Sequence, residues 1–151
     1  AFEAALAEVM LELAQAIIRD GEGATKFVTI EVSEARSQEE ARAVGFTVAH
    51  SPLVKTALYA SDANWGRILA AVGRAPLEEL DVTGVAITLN GVTIVEQGGR
   101  ADSYTEAAGS AAMAEEELVI GIRLGRGQQE ARIWTSDLSH DYVSINADYR
   151  S

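Results

Sequence analysis

The spacing of apolar residues predicts a helix at the start of the chain and a strand after it. Apolar side chains recur at intervals of three and four residues, which places them on one face of a helix. The helix is predicted to end at Asp20-Gly21, because glycine readily adopts the left-handed conformation that stops a helix. Alternation then predicts a half-buried strand over residues 26–32. The helical stripe consists of Phe2, Leu6, Val9, Met10, Leu13 and Ile17, and the strand carries Val28, Ile30 and Val32 on one face.

The following stretch continues the alternation of helices and strands. Ser37-Gln38-Glu39-Glu40 has the form of a capping box and predicts a helix that runs as far as Ser51-Pro52. Residues 56–60 predict a short apolar strand, and Ser61-Asp62 predicts the N-cap of another helix. This order of elements is typical of crossover connections on a sheet. The second of these helices carries Trp65, Ile68, Leu69 and Val72.

The middle of the chain contains a hairpin signal. Asn90-Gly91 joins two alternating runs, and a two-residue turn there requires positive φ at both positions. In that register Leu89 lies opposite Val92. The next pair inward is then Ile87 opposite Ile94, and all four side chains are predicted to share one face of the hairpin.

The second half of the chain predicts a helix and two further strands. The helix covers residues 103–115 and is followed by a strand with clean alternation. Residues 125–129 are predicted to join that strand to a partner strand over residues 130–136. The alternating residues of the first strand are Leu118, Ile120, Ile122 and Leu124.

The last segment, residues 139–151, fits both helical and strand spacing. Ser139 as an N-cap, with Asp141 in the first turn, favours the helix.

Taken together, the elements predict an α/β fold of layered mixed sheets with packed helices. We expect residues 1–151 to form a single α/β unit.

Composition excludes several classes of protein. The chain has 151 residues, 48% of them hydrophobic, and 23 acidic against 12 basic residues give a net charge of −11. The Lys and Arg residues are scattered along the chain and acidic residues outnumber them, which argues against general nucleic-acid binding. The absence of cysteine excludes disulfides and a cysteine nucleophile. Without a membrane-spanning apolar run or a signal peptide, we expect a soluble, cytoplasmic protein with no membrane partner.

The first helix lacks a capping signal. Ala1 has no side-chain acceptor, and no Ser, Thr, Asp or Asn precedes the apolar stripe to cap its free N–H groups. This pattern predicts that the chain is a piece of something longer.

The stretch DGEGATK, at residues 20–26, is the first candidate for chemistry. It does not match a phosphate-binding loop, because it lacks the GxxxxGK[ST] spacing and follows a helix rather than a strand. Its carboxylates lie at a helix C-terminus, where the helix dipole disfavours negative charge. Glu22 stands between two glycines, so its carboxylate is either solvated in an ordinary turn or presented to a ligand at close range.

Other candidates carry weaker signals. For Asp62 and Trp65 the favoured interpretation is structural, with Asp62 capping a helix and Trp65 packing in the core. His50 and His140 form no metal motif, and no GxSxG nucleophile elbow is present. The polar C-terminus is either solvated or, if it docks, presents Asn146, Ser151 and the terminal carboxylate to a ligand.

Five stretches in order resemble the ornithine acetyltransferase family, the glutamate N-acetyltransferases of arginine biosynthesis. The match covers nearly the whole chain and corresponds to the C-terminal part of the family's sequence. The stretches are RDGEGATK at residues 19–26, SPLVKTA at residues 51–57, DANWGRI at residues 62–68, LGRG at residues 124–127 and HDYVSINADYR at residues 140–150.

The resemblance implies an N-terminal-nucleophile enzyme. In that family a precursor cleaves itself before a threonine, whose hydroxyl becomes the nucleophile and whose freed amine serves as the base. The implied reaction is ping-pong transfer of an acetyl group from N-acetylornithine to glutamate, with ornithine as the first product and no metal or organic cofactor. It also implies the family's layered α/β fold.

The resemblance also implies substrate-binding residues. Glu22 and Asn146 match the family's substrate-contacting glutamate and asparagine, and Ser151 matches a terminal residue that is usually threonine. Ala1 has no hydroxyl, so the nucleophile belongs to an upstream chain, and this chain contributes no catalytic residue. The whole enzyme would be a hetero-oligomer of two chain types, a heterotetramer. Two alternatives are a paralogue of secondary metabolism with a different N-acyl donor and a non-catalytic small-molecule-binding domain.

Overall fold

The computed structural model describes residues 1–149, which contain six α-helices and six strands. The helices are α1 (Phe2–Arg19), α2 (Gln38–Ala49), α3 (Pro52–Tyr59), α4 (Trp65–Gly73), α5 (Glu106–Met113) and α6 (His140–Asp148). The strands are β1 (Phe27–Ala35), β2 (Ala86–Leu89), β3 (Val92–Glu96), β4 (Gly99–Arg100), β5 (Glu117–Arg123) and β6 (Gln129–Ser136). A short 3₁₀ turn, Val82–Gly84, precedes β2.

All six strands belong to one mixed sheet, in the order β4-β3-β2-β5-β1-β6. β1 lies between β5, which runs parallel to it, and β6, which runs antiparallel. The expected direct pairing of β5 with β6 is therefore wrong. The link between them crosses the end of β1, where Arg126 and Gly127 donate backbone hydrogen bonds to the Glu34 carbonyl at 2.8 and 2.9 Å. The predicted α/β class, with mixed strands and packed helices, is confirmed.

The core lies on one face of this sheet. The predicted alternation of β1 is confirmed, since Val28, Ile30 and Val32 are buried. α2 packs over β1 and β6 at close range, because a Cβ on Gly45 would lie 2.6 Å from Cγ1 of Ile133. β2, β5, α4 and α5 contribute to the same apolar cluster. Burial of this cluster is the main favourable contribution to folding.

Residues 56–60 do not form the predicted strand; residues 52–59 form helix α3. Ser51-Pro52, taken in the sequence as the end of one helix, also begins the next. Ser51 Oγ accepts a hydrogen bond from the Val54 N–H. Proline suits the first helical turn, because a backbone N–H at that position would have no acceptor within the helix. Nor does Ser61-Asp62 cap α4. Asn64 does, by accepting from the Arg67 N–H at 3.1 Å.

The hairpin is confirmed with one change of register. Asn90 and Gly91 have φ of 45° and 80°, and Leu89 pairs with Val92 as predicted. Ile87 pairs with Val95 instead of Ile94, because the register shifts between Ile87 and Thr88. A β-bulge of this kind adds one residue to one strand. The predicted helix over residues 103–115 is observed as the shorter α5, capped by Thr105.

The two terminal helices pack less tightly than the others. α1 follows the predicted span, and Ala1 provides no side-chain cap. The helical interpretation of the last segment is confirmed, since Ser139 Oγ accepts from the Tyr142 N–H at 3.1 Å. Neither α1 nor α6 contains a buried residue. Their apolar stripes therefore face outward.

Candidate functional site

Glu22 and Asn146 meet although 124 positions separate them in the sequence. Asn146 Nδ2 donates to Glu22 Oε1 at 2.7 Å and to the Tyr142 carbonyl at 2.8 Å. Glu22 lies in the loop between α1 and β1, and Asn146 lies in α6. Two of the three residues expected to bind substrate thus form one polar group on the surface.

The loop backbone reaches α6 through Gly23. This residue has φ of +68°, a conformation that costs other residues free energy. A Cβ there would lie 2.7 Å from the Tyr142 nitrogen and 2.8 Å from Ser139 Oγ. Glycine is therefore required at this position both for its backbone angle and for the close approach to the first turn of α6.

Asp137 holds the other end of the same loop. Its Oδ1 accepts from the backbone N–H groups of Thr25 at 2.8 Å and Lys26 at 2.9 Å, and its Oδ2 accepts from Thr25 Oγ1 at 2.6 Å. Asp137 is only 4% exposed. Hydrogen bonds to a charged acceptor are stronger than those between neutral groups, so this carboxylate fixes the loop firmly.

Lys55 provides the nearby positive charge. Its Nζ donates to Thr135 Oγ1 at 3.0 Å and to the Ser136 carbonyl, at the end of β6. Burial lowers the pKa of Lys55, and the attraction of the Asp137 carboxylate partly opposes that change. The ammonium group thus stabilises the strand end from which Asp137 projects.

The same loop lines a shallow cavity of about 270 Å³ with residues 24–26. Lys26 Nζ donates to the Met113 carbonyl at 2.8 Å, and the Arg19 guanidinium lies 3.7 Å from the centre of the Phe27 ring. Arg19 also pairs with Glu117. The cavity lining comprises Arg19, Ala24, Thr25, Lys26, Phe27, Glu116 and Glu117.

The arrangement is suited to binding an amino group. Glu22 is exposed, and only one of its carboxylate oxygens accepts a hydrogen bond from residues 1–149. A second carboxylate oxygen can accept from an ammonium group, and the amide oxygen of Asn146 is another acceptor. Ser151, the third residue expected here, lies outside the described residues.

Asp62 and Trp65, two further candidates from the sequence, make structural contacts. Asp62 accepts from the Asn64 amide at 2.9 Å, and Trp65 packs against the core from a half-buried position. Within residues 1–149, no three His, Asp or Glu side chains are grouped so that they could hold a metal ion. No helix in that part of the chain has the length and apolarity needed to cross a membrane.

The sequence did not reveal Asp137 as part of the site. Its one signal is an acidic residue directly after a strand and two positions before the cap Ser139. A carboxylate in that position is ordinarily exposed. Only the path of the chain brings the loop at residues 22–26 onto it.

Comparison with known proteins identifies close relatives. The sequence profile of the ArgJ family matches residues 1–151. The chain is 60% identical, over 151 residues each, to the arginine biosynthesis bifunctional proteins ArgJ of Pseudomonas syringae pv. tomato and Methylococcus capsulatus. These matches cover 100% of this chain and 37% of each relative. The crystal structure of the protein of that name from Bacillus halodurans superposes with a TM-score of 0.92 at 37% identity, covering 98% of this chain and 69% of that one.

Proposed function

Because the chain belongs to the ArgJ family, we propose that it is the substrate-binding C-terminal portion of an acetyltransferase. The whole enzyme transfers an acetyl group from N-acetylornithine to glutamate. The chain spans 37% of the length of the relatives it matches, so the remaining parts of the enzyme lie outside it. The family membership supports the reaction, and the geometry around Glu22 supports the role of this portion.

The reaction proceeds in two acyl-transfer steps. The hydroxyl of an upstream threonine attacks the acetyl carbonyl of N-acetylornithine, the C–N bond breaks, and ornithine leaves with the proton taken from the hydroxyl. The α-amine of glutamate then attacks the acetyl-threonine ester. N-acetylglutamate departs, and the proton lost by the amine returns to the threonine oxygen. The threonine's own α-amine carries the proton between these groups.

The pairing of Glu22 with Asn146 is the observation that carries the proposal. An exposed carboxylate that a neighbouring amide holds in place, through the 2.7 Å hydrogen bond, is complementary to the free ammonium group of ornithine. This contact orients the donor before the threonine attacks, which lowers the entropic part of the barrier. From the family resemblance alone, we also propose that Ser151 contributes a hydroxyl to substrate binding.

The exposed stripe of α1 supports a partner portion in the same enzyme. Phe2 is 80% exposed and Ile17 72%, at opposite ends of a helix without a buried residue. Large contiguous apolar surfaces of this kind mark interaction sites. We assign the stripe to the upstream portion that carries the threonine, in a hetero-oligomer of two chain types, a heterotetramer.

We propose the cytoplasm as the location of the enzyme, since the relatives' names assign them to arginine biosynthesis.

The test is the intact mass of the natively purified, full-length protein before and after addition of N-acetylornithine. We expect a companion chain that begins with threonine and gains one acetyl group. Acetylation of that chain by another N-acyl donor alone would identify a paralogue with a different substrate. Absence of both the companion chain and the adduct would refute the transferase and leave a small-molecule-binding domain.

A further inference from the structure

We propose that Asp137 is a positioning residue for substrate binding, which sets the Glu22 carboxylate through the backbone of the loop at residues 22–26. The inference rests on the proposed function, because it assigns Asp137 an effect on the donor substrate that passes through Glu22. Asp137 itself does not touch the substrate.

The hydrogen bonds of Asp137 go to the loop rather than to a charged partner. All three that its carboxylate accepts from residues 1–149 come from Thr25 and Lys26, at 2.6–2.9 Å. Lys55 is attracted by the Asp137 carboxylate, yet its Nζ donates to Thr135 and to the Ser136 carbonyl. A carboxylate that served only to neutralise Lys55 would bond to it directly. The geometry instead indicates that Asp137 holds the loop.

A single segment of chain contacts the loop at three points. Asp137 bonds residues 25 and 26, Ser139 and the first turn of α6 contact Gly23, and Asn146 bonds the Glu22 side chain. The anchor at Asp137 and the contact at Asn146 therefore lie on the same segment of chain, which runs from the end of β6 into α6. Glu22 is fixed relative to Asn146 because its loop is fixed relative to Asp137.

Burial strengthens this argument. Asp137 is 4% exposed, whereas Glu22 and Asn146 are exposed. A hydrogen bond between exposed groups competes with water and by itself contributes little to order. The ordering of the exposed pair must therefore come from the buried anchor. Without the anchor, the loop would move and the hydrogen bond between Glu22 and Asn146 would break.

The experiment is a double-mutant cycle between Asp137→Asn and Glu22→Ala in the protein of full family length. Alone, Asp137→Asn should lower kcat/KM for N-acetylornithine about tenfold, mainly through KM. In the Glu22→Ala background the same change should cost less than about twofold, since the group it positions is already absent. Asp141→Asn, at an exposed acid in the first turn of α6, is the matched control and should stay within about twofold of wild type.

The outcomes distinguish the positioning role of Asp137 from the substrate contact of Glu22. If Asp137→Asn costs the same in both backgrounds, Asp137 stabilises the fold generally and the positioning role is wrong. If Glu22→Ala alone leaves kinetics unchanged, Glu22 is not a substrate contact, and the proposed function of the pair fails together with this inference. Additive effects thus refute only the positioning role, while an inert Glu22 refutes both.

A second pair of variants applies if Asp137→Asn fails to fold. Thr25→Val removes the hydroxyl that donates to Asp137 Oδ2 at 2.6 Å but keeps the backbone bond at 2.8 Å. Thr25→Ser keeps both. We expect about a fivefold rise in KM for Thr25→Val and a change within about twofold for Thr25→Ser. Equal kinetics for the two variants would overturn the proposal.

Discussion

Gly23 lies against Ser139 so closely that a Cβ on the glycine would be 2.8 Å from the serine Oγ. Ser139 is also the N-cap of α6, and its oxygen already accepts from the Tyr142 N–H. The loop that carries Glu22 is therefore seated directly on the capping group of the helix that carries Asn146. Any change that lifts this loop also disturbs the start of α6.

We expect Gly23→Ala to separate the loop from α6. The positive φ of +68° disfavours any side chain by about 1–2 kcal/mol, and the contact with Ser139 adds to that cost. The variant should lose at least about tenfold in kcat/KM for N-acetylornithine and unfold at a lower temperature. Gly73→Ala is the control, because nothing lies within 4 Å of a Cβ there. Equal kcat/KM and equal unfolding temperatures for the two variants would show that the close contact of Gly23 with α6 does not affect activity.

Glu22→Gln should weaken donor binding while preserving the fold. The amide oxygen still accepts from Asn146, but the charge that attracts an ammonium group is lost. A charged hydrogen bond is worth about 1.5–3 kcal/mol, so we expect a fall of about 10–150-fold in kcat/KM for N-acetylornithine. Steady-state kinetics measure this, with Glu96→Gln as an exposed control. Unchanged kinetics would remove Glu22 from the site.

Asn146→Ala should have a smaller effect of the same kind. The variant loses the 2.7 Å hydrogen bond that orients the Glu22 carboxylate but leaves its charge. We expect about a 3–10-fold rise in KM for N-acetylornithine, since a single hydrogen bond contributes about 0.5–1.5 kcal/mol. Ser144→Ala, on the same exposed helix, provides the comparison. An effect no larger than that of Ser144→Ala would remove Asn146 from the site.

The lowered pKa of Lys55 predicts a specific dependence of stability on pH. Between that lowered value and the ordinary pKa of about 10.4, the unfolded chain keeps a proton that the folded chain has released. The unfolded state then binds more protons, so the contribution of Lys55 to the free energy of unfolding rises with pH across this window. As the pH is raised from 7, the melting temperature of wild type should rise relative to that of Lys55→Met. A constant or shrinking difference would contradict the burial of this ammonium group.

The apolar stripe of α1 should matter only in the whole enzyme. Leu13 is 59% exposed, and a polar change at such a site within a solvated surface costs at most about 0.5 kcal/mol. If the upstream portion covers the stripe, Leu13→Glu loses about 1.5–3 kcal/mol of burial and adds an unpaired charge. Thermal unfolding of the full-length protein should therefore shift markedly for Leu13→Glu and remain unchanged for the neighbouring Glu12→Gln. A shift no larger than that of the control would mean that the stripe faces solvent in the enzyme too.

Local signals predicted the elements that depend on nearby residues. The Ser37 side chain caps α2 by accepting from the Glu40 N–H at 3.1 Å, as the capping box indicated. Asn90-Gly91 forms the predicted turn, and Ser139 caps the helix that competed with a strand in the last segment. In each case the interacting groups lie within four residues, so the sequence contains both partners.

The wrong predictions share a dependence on distant packing. Residues 56–60 are apolar enough for a strand, but Ser51 and Pro52 start a helix that buries Val54 and Leu58 against the core. Periodicity in a five-residue run does not distinguish these outcomes. The pairing of β6 with β1 instead of β5 was also beyond local pattern, because it depends on which strand the connecting link passes.

By itself the sequence determined the α/β class, most helices and strands, the family, and Glu22 and Asn146 as candidates. Helical and strand periodicity, caps and turns act over a few residues, and the family motifs are contiguous. Only the tertiary structure decided that Glu22 and Asn146 meet, that β1 separates β5 from β6, and that Asp137 anchors the loop. Those contacts join residues more than a hundred positions apart or depend on the order of strands, and the free energy that selects them comes from packing of the whole sheet and its helices.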